Sequence, residues 1–375
     1  MKKKRTMRKN PTTDGAPDAV PAGTPDSPAE KAAEFRRALA EWFSRERRDL
    51  PWRRERSVFS AVVSEFMLQQ TTVAAVIPYF ENWMRRWKNF DELARADVQD
   101  VLRAWEGLGY YSRAKNLHAL AQRIAAAKRI PASVAEWRGF RGIGAYTAAA
   151  IASIAQGIPA AVVDGNVVRI LARISGDERV FRDASAAAAE FAALADALLD
   201  RANPGTHNEA MMELGALVCS RRAPRCASCP VRDFCAANAR GNAETLPRFV
   251  PKKMKKREVE RLICRRGNAL LLVRRTAGTR RLRDICEFPL AADFRVPARV
   301  RKSWKIVFEG RRGIADELIR ERFRLVPANA AETLAETFRG EAGAHAFFAE
   351  ISALDTLVFS GPHRKWLAAL TEKTA

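Results

Sequence analysis

Apolar residues recur three and four positions apart along the chain up to about residue 239, as at Leu117, Leu120, Ala121 and Ile124. That is the spacing of one buried face on an α-helix. The period is broken by turn-forming clusters: Asp49-Leu50-Pro51, Gly107 to Gly109, Ile130-Pro131, Gly142 to Gly144, Gly157 to Pro159 and Asn203-Pro204-Gly205. Residues 29–239 are therefore expected to form nine or ten short helices with no strand. Beyond them the pattern changes. Residues 240–257 hold Pro247, Pro251 and the run Lys252 to Arg257, expected as an exposed linker that like charges keep extended. Ala269 to Arg274 and Trp304 to Phe308 read as strands, Arg322 to Val326 as a weaker one, and 330–340 as helix. This predicts a smaller α+β domain over 258–373. Residues 1–28, basic and then rich in Pro and Gly, are expected to be a disordered leader. No apolar stretch approaches the roughly 20 residues of a membrane span. No apolar signal core follows the basic start, so a cytoplasmic monomer away from membranes is the default expectation.

Charge narrows the partners. Lys and Arg outnumber Asp and Glu by 65 to 43, a formal charge of +22. Such a field draws polyanions, with nucleic acid the first candidate, although an anionic membrane surface or ribosomal RNA fits the charge equally well. Four of the six cysteines, Cys219, Cys226, Cys229 and Cys235, stand in the spacing C-x6-C-x2-C-x5-C. Clustered cysteines without a secretory signal point to metal ligation rather than disulfides. Four thiolates in one loop can wrap a 4Fe–4S cube. Zinc also takes four thiolates, usually through two CxxC pairs, and only Cys226 and Cys229 form such a pair. Arg221, Arg222, Arg225 and Arg232 surround the loop, placed to meet DNA phosphates or simply to be solvated. Cys264 and Cys286 read as core residues.

Phe140 to Ala148 places Gly142 and Gly144 ahead of a helix start, where bare amides can approach a phosphate. Two carboxylates suit cleavage of a glycosidic bond, which needs an acid at the leaving group and an anion beside the sugar cation. Glu65, among the apolar neighbours of Val62 to Leu68, would be desolvated and hold its proton near neutrality; the plainer reading is the polar side of an amphipathic helix. Asp164 follows Ala160 to Val163 and reads as a helix N-cap, a position that favours its ionised form.

Leu50-Pro51-Trp52-Arg53, Ser64 to Thr71, Leu108 to Ala114, Asn116-Leu117-His118, Val163 to Val167 and Asn208-Glu209-Ala210, with the hairpin and cysteine loop, resemble the MutY-type adenine DNA glycosylases of the endonuclease III-like helix-hairpin-helix superfamily. The resemblance covers about 30–240. It implies a mainly α fold with an iron–sulfur loop at 219–235, and a C-terminal α+β domain resembling Nudix hydrolases that recognises 8-oxoguanine. It further implies excision of adenine from double-stranded DNA containing A:8-oxoguanine or A:G mispairs. Carried over, Glu65 protonates the flipped adenine and Asp164 stabilises the sugar cation or a transient covalent adduct, with Tyr146 and Asn166 orienting them. Trp52, Arg53 and Glu209 match adenine-pocket positions. Leu68, Gln70, Thr71 and Tyr110 match duplex-contacting positions, although core packing is the commoner fate of Trp52 and Tyr110 on sequence alone. Bifunctional members carry lysine where this chain has Tyr146, and a phenol forms no Schiff base, so a monofunctional enzyme is expected.

The family's lesion-reading loop, typically Phe-Ser-His, is best placed at Ile314 to Arg322, with Glu317, Leu318, Ile319 and Arg320 as its contact residues. No His, Ser or Thr occurs there, so weakened 8-oxoguanine recognition is the expectation. No Nudix catalytic helix is found. The alternatives are a thymine or uracil mismatch glycosylase and a non-catalytic DNA-binding iron–sulfur protein. Glu65 and the long C-terminal region weigh against the first, and the pair of carboxylates against the second.

Overall fold

The computed structural model describes residues 28–251, 254–275, 284–314, 316–340 and 343–374. The leader expected at 1–28 lies almost wholly outside them. Twelve helices precede the cysteine loop: α1 (Pro28–Glu46), α2 (Pro51–Arg54), α3 (Val58–Leu68), α4 (Val73–Arg86), α5 (Phe90–Arg95), α6 (Val98–Trp105), α7 (Ser112–Ala127), α8 (Val134–Arg138), α9 (Ala145–Gln156), α10 (Gly165–Ser175), α11 (Ala184–Leu198) and α12 (Pro204–Leu217). That exceeds the nine or ten expected, because four- to six-residue helices such as α2, α5 and α8 are too short to show a period.

Local chemistry fixes the ends. Ser57 caps α3 by accepting a hydrogen bond from the Ser60 amide at 3.0 Å. Glycines in the left-handed region, Gly157 (φ +67°) and Gly176 (φ +65°), stop α9 and α10. Helix α3 is buried on nearly every face, from Phe59 to Met67, and so runs through the centre. Two helical cores flank the site. One gathers α3 to α7 around the fully buried Trp83, Trp105 and Trp137. The other joins α1, α10, α11 and α12, with Cys219 and Cys229 packed against it. Helix α9 packs on both α3 and α12, closing the gap between the cores.

A two-residue strand, β1 (Val180–Phe181), interrupts the helical region and pairs in parallel with β2 (Arg248–Phe249). The expected linker thus contains ordered pieces: β2 is held by a ring contact between Phe181 and Phe249 and by Arg248 pairing with Glu178 at 3.1 Å. A short helix, α13 (Ala236–Ala239), follows the cysteine loop.

The C-terminal region holds β3 (Lys255–Ile263), β4 (Arg265–Arg266), β5 (Ala269–Arg275), β6 (Cys286–Glu287), α14 (Ala298–Ser303), β7 (Ile306–Ile314), β8 (Glu317–Leu325), α15 (Ala328–Leu334), β9 (Ala344–Glu350) and α16 (Gly361–Thr374). One sheet has the order β3-β8-β7, with β3 and β8 parallel; in the other, β5 pairs with β4, β6 and β9. This corrects one expectation. Glu317, Leu318, Ile319 and Arg320 belong to no loop; they open strand β8, with Leu318 opposite Lys256 and Gly313. Ile319 and Phe323 face the core, and so does Glu321, fully buried between Arg261 and Arg312. A charged residue at a core position hid the alternation that marks a strand.

Candidate active site

Glu65 leaves α3 toward a cavity of about 250 Å³ between the two helical cores. Trp52, Arg53, Leu68, Thr71, Tyr146, Asp164, Asn166 and Glu209 all line it, so the structure gathers catalytic and pocket candidates from five helices, a helix cap and the turn after α3. Glu65 is only 6% exposed. Burial pushes its carboxyl up to about 7, the Tyr146 hydrogen bond opposes that rise, and the charges of Asp164 and Glu209 add to it. Its Oε2 finds no hydrogen-bond partner among the described residues. Tyr146, one residue into α9, lies beside Glu65 and donates through its hydroxyl to the Met212 sulfur at 3.6 Å. Burial, then the two carboxylates, holds its phenol well above the ordinary range.

Asp164 caps α10. Its Oδ1 accepts from the amides of Asn166 (2.9 Å) and Val167 (2.7 Å), and its Oδ2 from the Asn166 side chain at 3.0 Å. Burial raises its pKa against these bonds and Arg169. A helix start alone would have lowered it, so desolvation outweighs the cap here. Asn166 is itself fixed: Arg169 donates to its Oδ1 at 2.8 Å, to Gly215 O at 2.8 Å and to Cys219 O at 2.7 Å. Gly215 must be glycine, since a Cβ there would lie 2.5 Å from Cβ of Asn166.

The pocket floor is an ion-pair lattice that sequence reasoning saw only in part. Arg53 donates to Glu209 at 2.9 Å and to both oxygens of Glu213 at 3.2 and 3.1 Å. Arg56 takes the second Glu209 oxygen (2.7 Å), and Arg48 binds Glu213 through its backbone amide and guanidinium. These contacts bring Glu213 down to about 2 despite its burial. The signal available was Glu209 and Glu213 one helical turn apart on α12, facing a basic stretch at Arg48 to Arg56. Trp52 packs edge-on against Phe80, with ring centroids 5.4 Å apart.

The residues expected at the duplex form a second group. Gln70 (φ +58°) and Tyr110 (φ +47°) both sit in the left-handed region, and Tyr110 is half exposed. Buried Arg113, missed as a functional residue, joins their loops. It donates to the carbonyls of Phe66 and Met67 (3.0 and 2.8 Å) and Gln69, to Thr71 Oγ1 (3.1 Å), and to Leu108 and Gly109 (2.9 and 3.1 Å). Gln69 in turn donates to the Gly142 carbonyl at 3.2 Å. Gly142 (φ +89°) admits no side chain, because a Cβ would meet Asn116 Nδ2 at 2.8 Å; Gly144 caps α9.

Cys219, Cys226, Cys229 and Cys235 line one cavity with Arg173. Among the described residues, no three Cys, His, Asp or Glu converge closely enough for a single shared metal ion. Burial and the neighbouring sulfurs push the Cys229 thiol up to about 11. Arg173 donates to Cys219 Sγ at 3.2 Å and to the Ser220 carbonyl at 2.8 Å. Arg221 and Arg222 are exposed within this loop.

Residues 63–194 match the HhH-GPD superfamily of base excision DNA repair proteins. The chain is 41% identical over 225 residues to the human adenine DNA glycosylase, covering 56% of this chain and 41% of that protein. It is 42% identical over 196 residues to the adenine DNA glycosylase of Mycolicibacterium smegmatis, covering 52% and 66% respectively. Matched stretches thus span less than half of the human relative's length and about two thirds of the bacterial one. In fold the chain is similar to a thermostable thymine-DNA glycosylase, with a TM-score of 0.51 and 25% identity, covering 56% of this chain and 98% of the other.

Proposed function

We propose that this chain, which carries an HhH-GPD superfamily base excision DNA repair domain over residues 63–194, is a monofunctional adenine DNA glycosylase acting on double-stranded DNA with adenine opposite 8-oxoguanine or guanine. The observation that carries the reading is Glu65, buried against the cavity with its pKa near 7 and one oxygen unpartnered. A carboxylic acid in that state delivers a proton to a leaving base at neutral pH. Asp164 lines the same cavity and supplies negative charge for the sugar cation left behind. The Arg53–Glu209 pair offers a fixed donor and acceptor edge to a flipped purine, whose unstacking costs a few kcal/mol. Tyr146 lies beside Glu65 and offers no amine, so no Schiff base forms with the sugar. Water ends the reaction at the sugar carbon, either directly or by hydrolysing a transient ester with Asp164.

The four cysteines fit a 4Fe–4S cluster: they surround one cavity, and buried thiols ionise together only beside a compensating cation. The cluster would neutralise that charge and fix the loop bearing Arg221 and Arg222 against phosphates. Leu68 ends α3, and Gln70, Thr71, Tyr110, Gly142 and Gly144 stand on turns tied to one another; all six would face the duplex. Since Glu317 to Arg320 form a strand, the lack of Ser and His there gives no ground for weakened 8-oxoguanine recognition.

Single-turnover cleavage of duplexes with adenine opposite 8-oxoguanine, guanine or cytosine tests the reading. The cluster-loaded protein should release adenine from the first two, and Glu65→Gln should lose at least about a hundredfold in rate. Adenine left intact in every duplex would sink the assignment.

A further inference from the structure

The loop between α6 and α7 is held in an unusual backbone. Gly107 (φ +107°), Gly109 (φ +70°) and Tyr110 (φ +47°) give it three left-handed residues in four positions. Such backbone persists only where its surroundings hold it. From the helical side, Trp105 Nε1 donates to Gly109 O at 3.0 Å, Tyr79 donates to Glu106 O at 2.9 Å, and Arg113 lies beneath.

The other half of the support comes from the C-terminal region. Arg364, in the first turn of α16, donates to both oxygens of Glu106, at 2.5 and 3.3 Å. The same guanidinium donates to the carbonyls of Leu354 (3.1 Å) and Leu357 (2.6 Å), anchoring it in its own domain. Tyr111 donates through a buried hydroxyl to Phe359 O at 2.5 Å, and Lys115 pairs with Asp284 at 2.8 Å. Ile285 and Val358 are built into the core of the helical region. A Cβ on Gly361 would lie 3.7 Å from Gly107 O, so the two backbones nearly touch. Between these supports Tyr110 projects half exposed, with the Arg113 guanidinium 5.7 Å from its ring centroid.

We propose that Glu106 and Arg364 are positioning residues that wire the C-terminal domain to the Tyr110 loop, so that the same contact sets how Tyr110 meets a mispair. This rests on the glycosylase reading above. A two-pronged Arg–carboxylate bond fixes orientation as well as distance, which a lysine in place of Arg364 cannot reproduce. The pair lies outside the cavity that holds Glu65 and Asp164. Loosening it leaves the excision step intact and blurs recognition of the mispair.

The test uses the full-length, cluster-loaded chain with Glu106→Gln, Arg364→Lys and the double variant. Two quantities are measured for each: the ratio of affinities for duplexes with adenine opposite 8-oxoguanine and opposite thymine, and the maximal single-turnover rate on the former. The ratio should fall about tenfold in each single variant and no further in the double, while maximal rate and thermal midpoint stay near wild type. An unchanged ratio in a variant whose wild type is selective overturns the proposal. So does a ratio that falls only together with maximal rate and thermal midpoint, which marks a purely structural contact. A wild type that binds mispairs selectively but releases no adenine overturns the glycosylase reading and leaves the affinity ratio still able to judge this one.

Discussion

Glu65 shows how one position can carry opposite demands. Its apolar neighbours on α3 stabilise the fold by filling the core, and the same burial makes its ionised form costly. The sign of the resulting pH dependence follows from linkage. The folded state holds the proton up to about pH 7, whereas an unstructured glutamate releases it near the ordinary 4.5. Between those values the folded chain binds more protons, so Glu65 erodes stability as pH rises across that window and contributes no further slope above it. At about 1.4 kcal/mol per pH unit, the erosion reaches at most about 3.5 kcal/mol. Glu65→Gln should remove this slope, flattening stability between pH 4.5 and 7 in urea titrations relative to wild type, while excision by wild type should decline as pH climbs past 7. A variant whose stability profile overlays that of wild type would mean the carboxyl is already ionised in the fold.

At the scale of elements, α10 gathers several functions on one rod. Asp164 caps its start, Asn166 steadies the cap, and Arg169 ties that turn to Gly215 and Cys219; one turn later Arg173 reaches the Cys219 sulfur. Arg169→Ala should therefore free Asn166 and let Asp164 drift, lowering the excision rate on the order of a hundredfold. The visible absorbance that the proposed cluster would give should persist, since all four cysteines remain. Full activity in that variant would show that the Asp164 cap stands without Arg169. This element also marks what sequence could and could not deliver. Asp164, Glu65 and the four cysteines were legible because each sits in a local pattern: a cap before a period, an acid in an apolar run, a fixed spacing. Glu213 and Arg113 were not, because their roles come from partners 165 and 44 residues away. Strand β8 is legible only in its second half, from Arg322, and its opening reads as a loop for a related reason. Glu321 occupies a core position that only Arg261 and Arg312, distant in sequence, make tolerable.

Across the whole molecule, two kinds of contact with DNA should separate by experiment. On the proposed function, the excess positive charge would act at long range and read no sequence, whereas the wired loops around Tyr110 would act at contact distance. Arg221 and Arg222 belong to the first kind: they are exposed, sit within the cysteine loop and lie outside the cavity lining. If both meet phosphates, replacing them with alanine releases fewer counterions on binding. The slope of log affinity against log salt should then shrink by about 0.9 for each phosphate no longer neutralised, about 1.8 for the pair. Affinity should weaken equally for adenine opposite 8-oxoguanine, guanine or thymine, because a phosphate contact carries no base information. Binding titrations from about 50 to 200 mM salt on these three duplexes would measure it. Weakening confined to the mispairs would place these arginines among the discriminating residues, contrary to their position. A slope left unchanged would make them a solvated surface. Set beside the Arg364 variants, whose affinity ratio should move while the salt slope stays put, the pair of experiments would assign attraction to the cysteine loop and discrimination to the junction between domains.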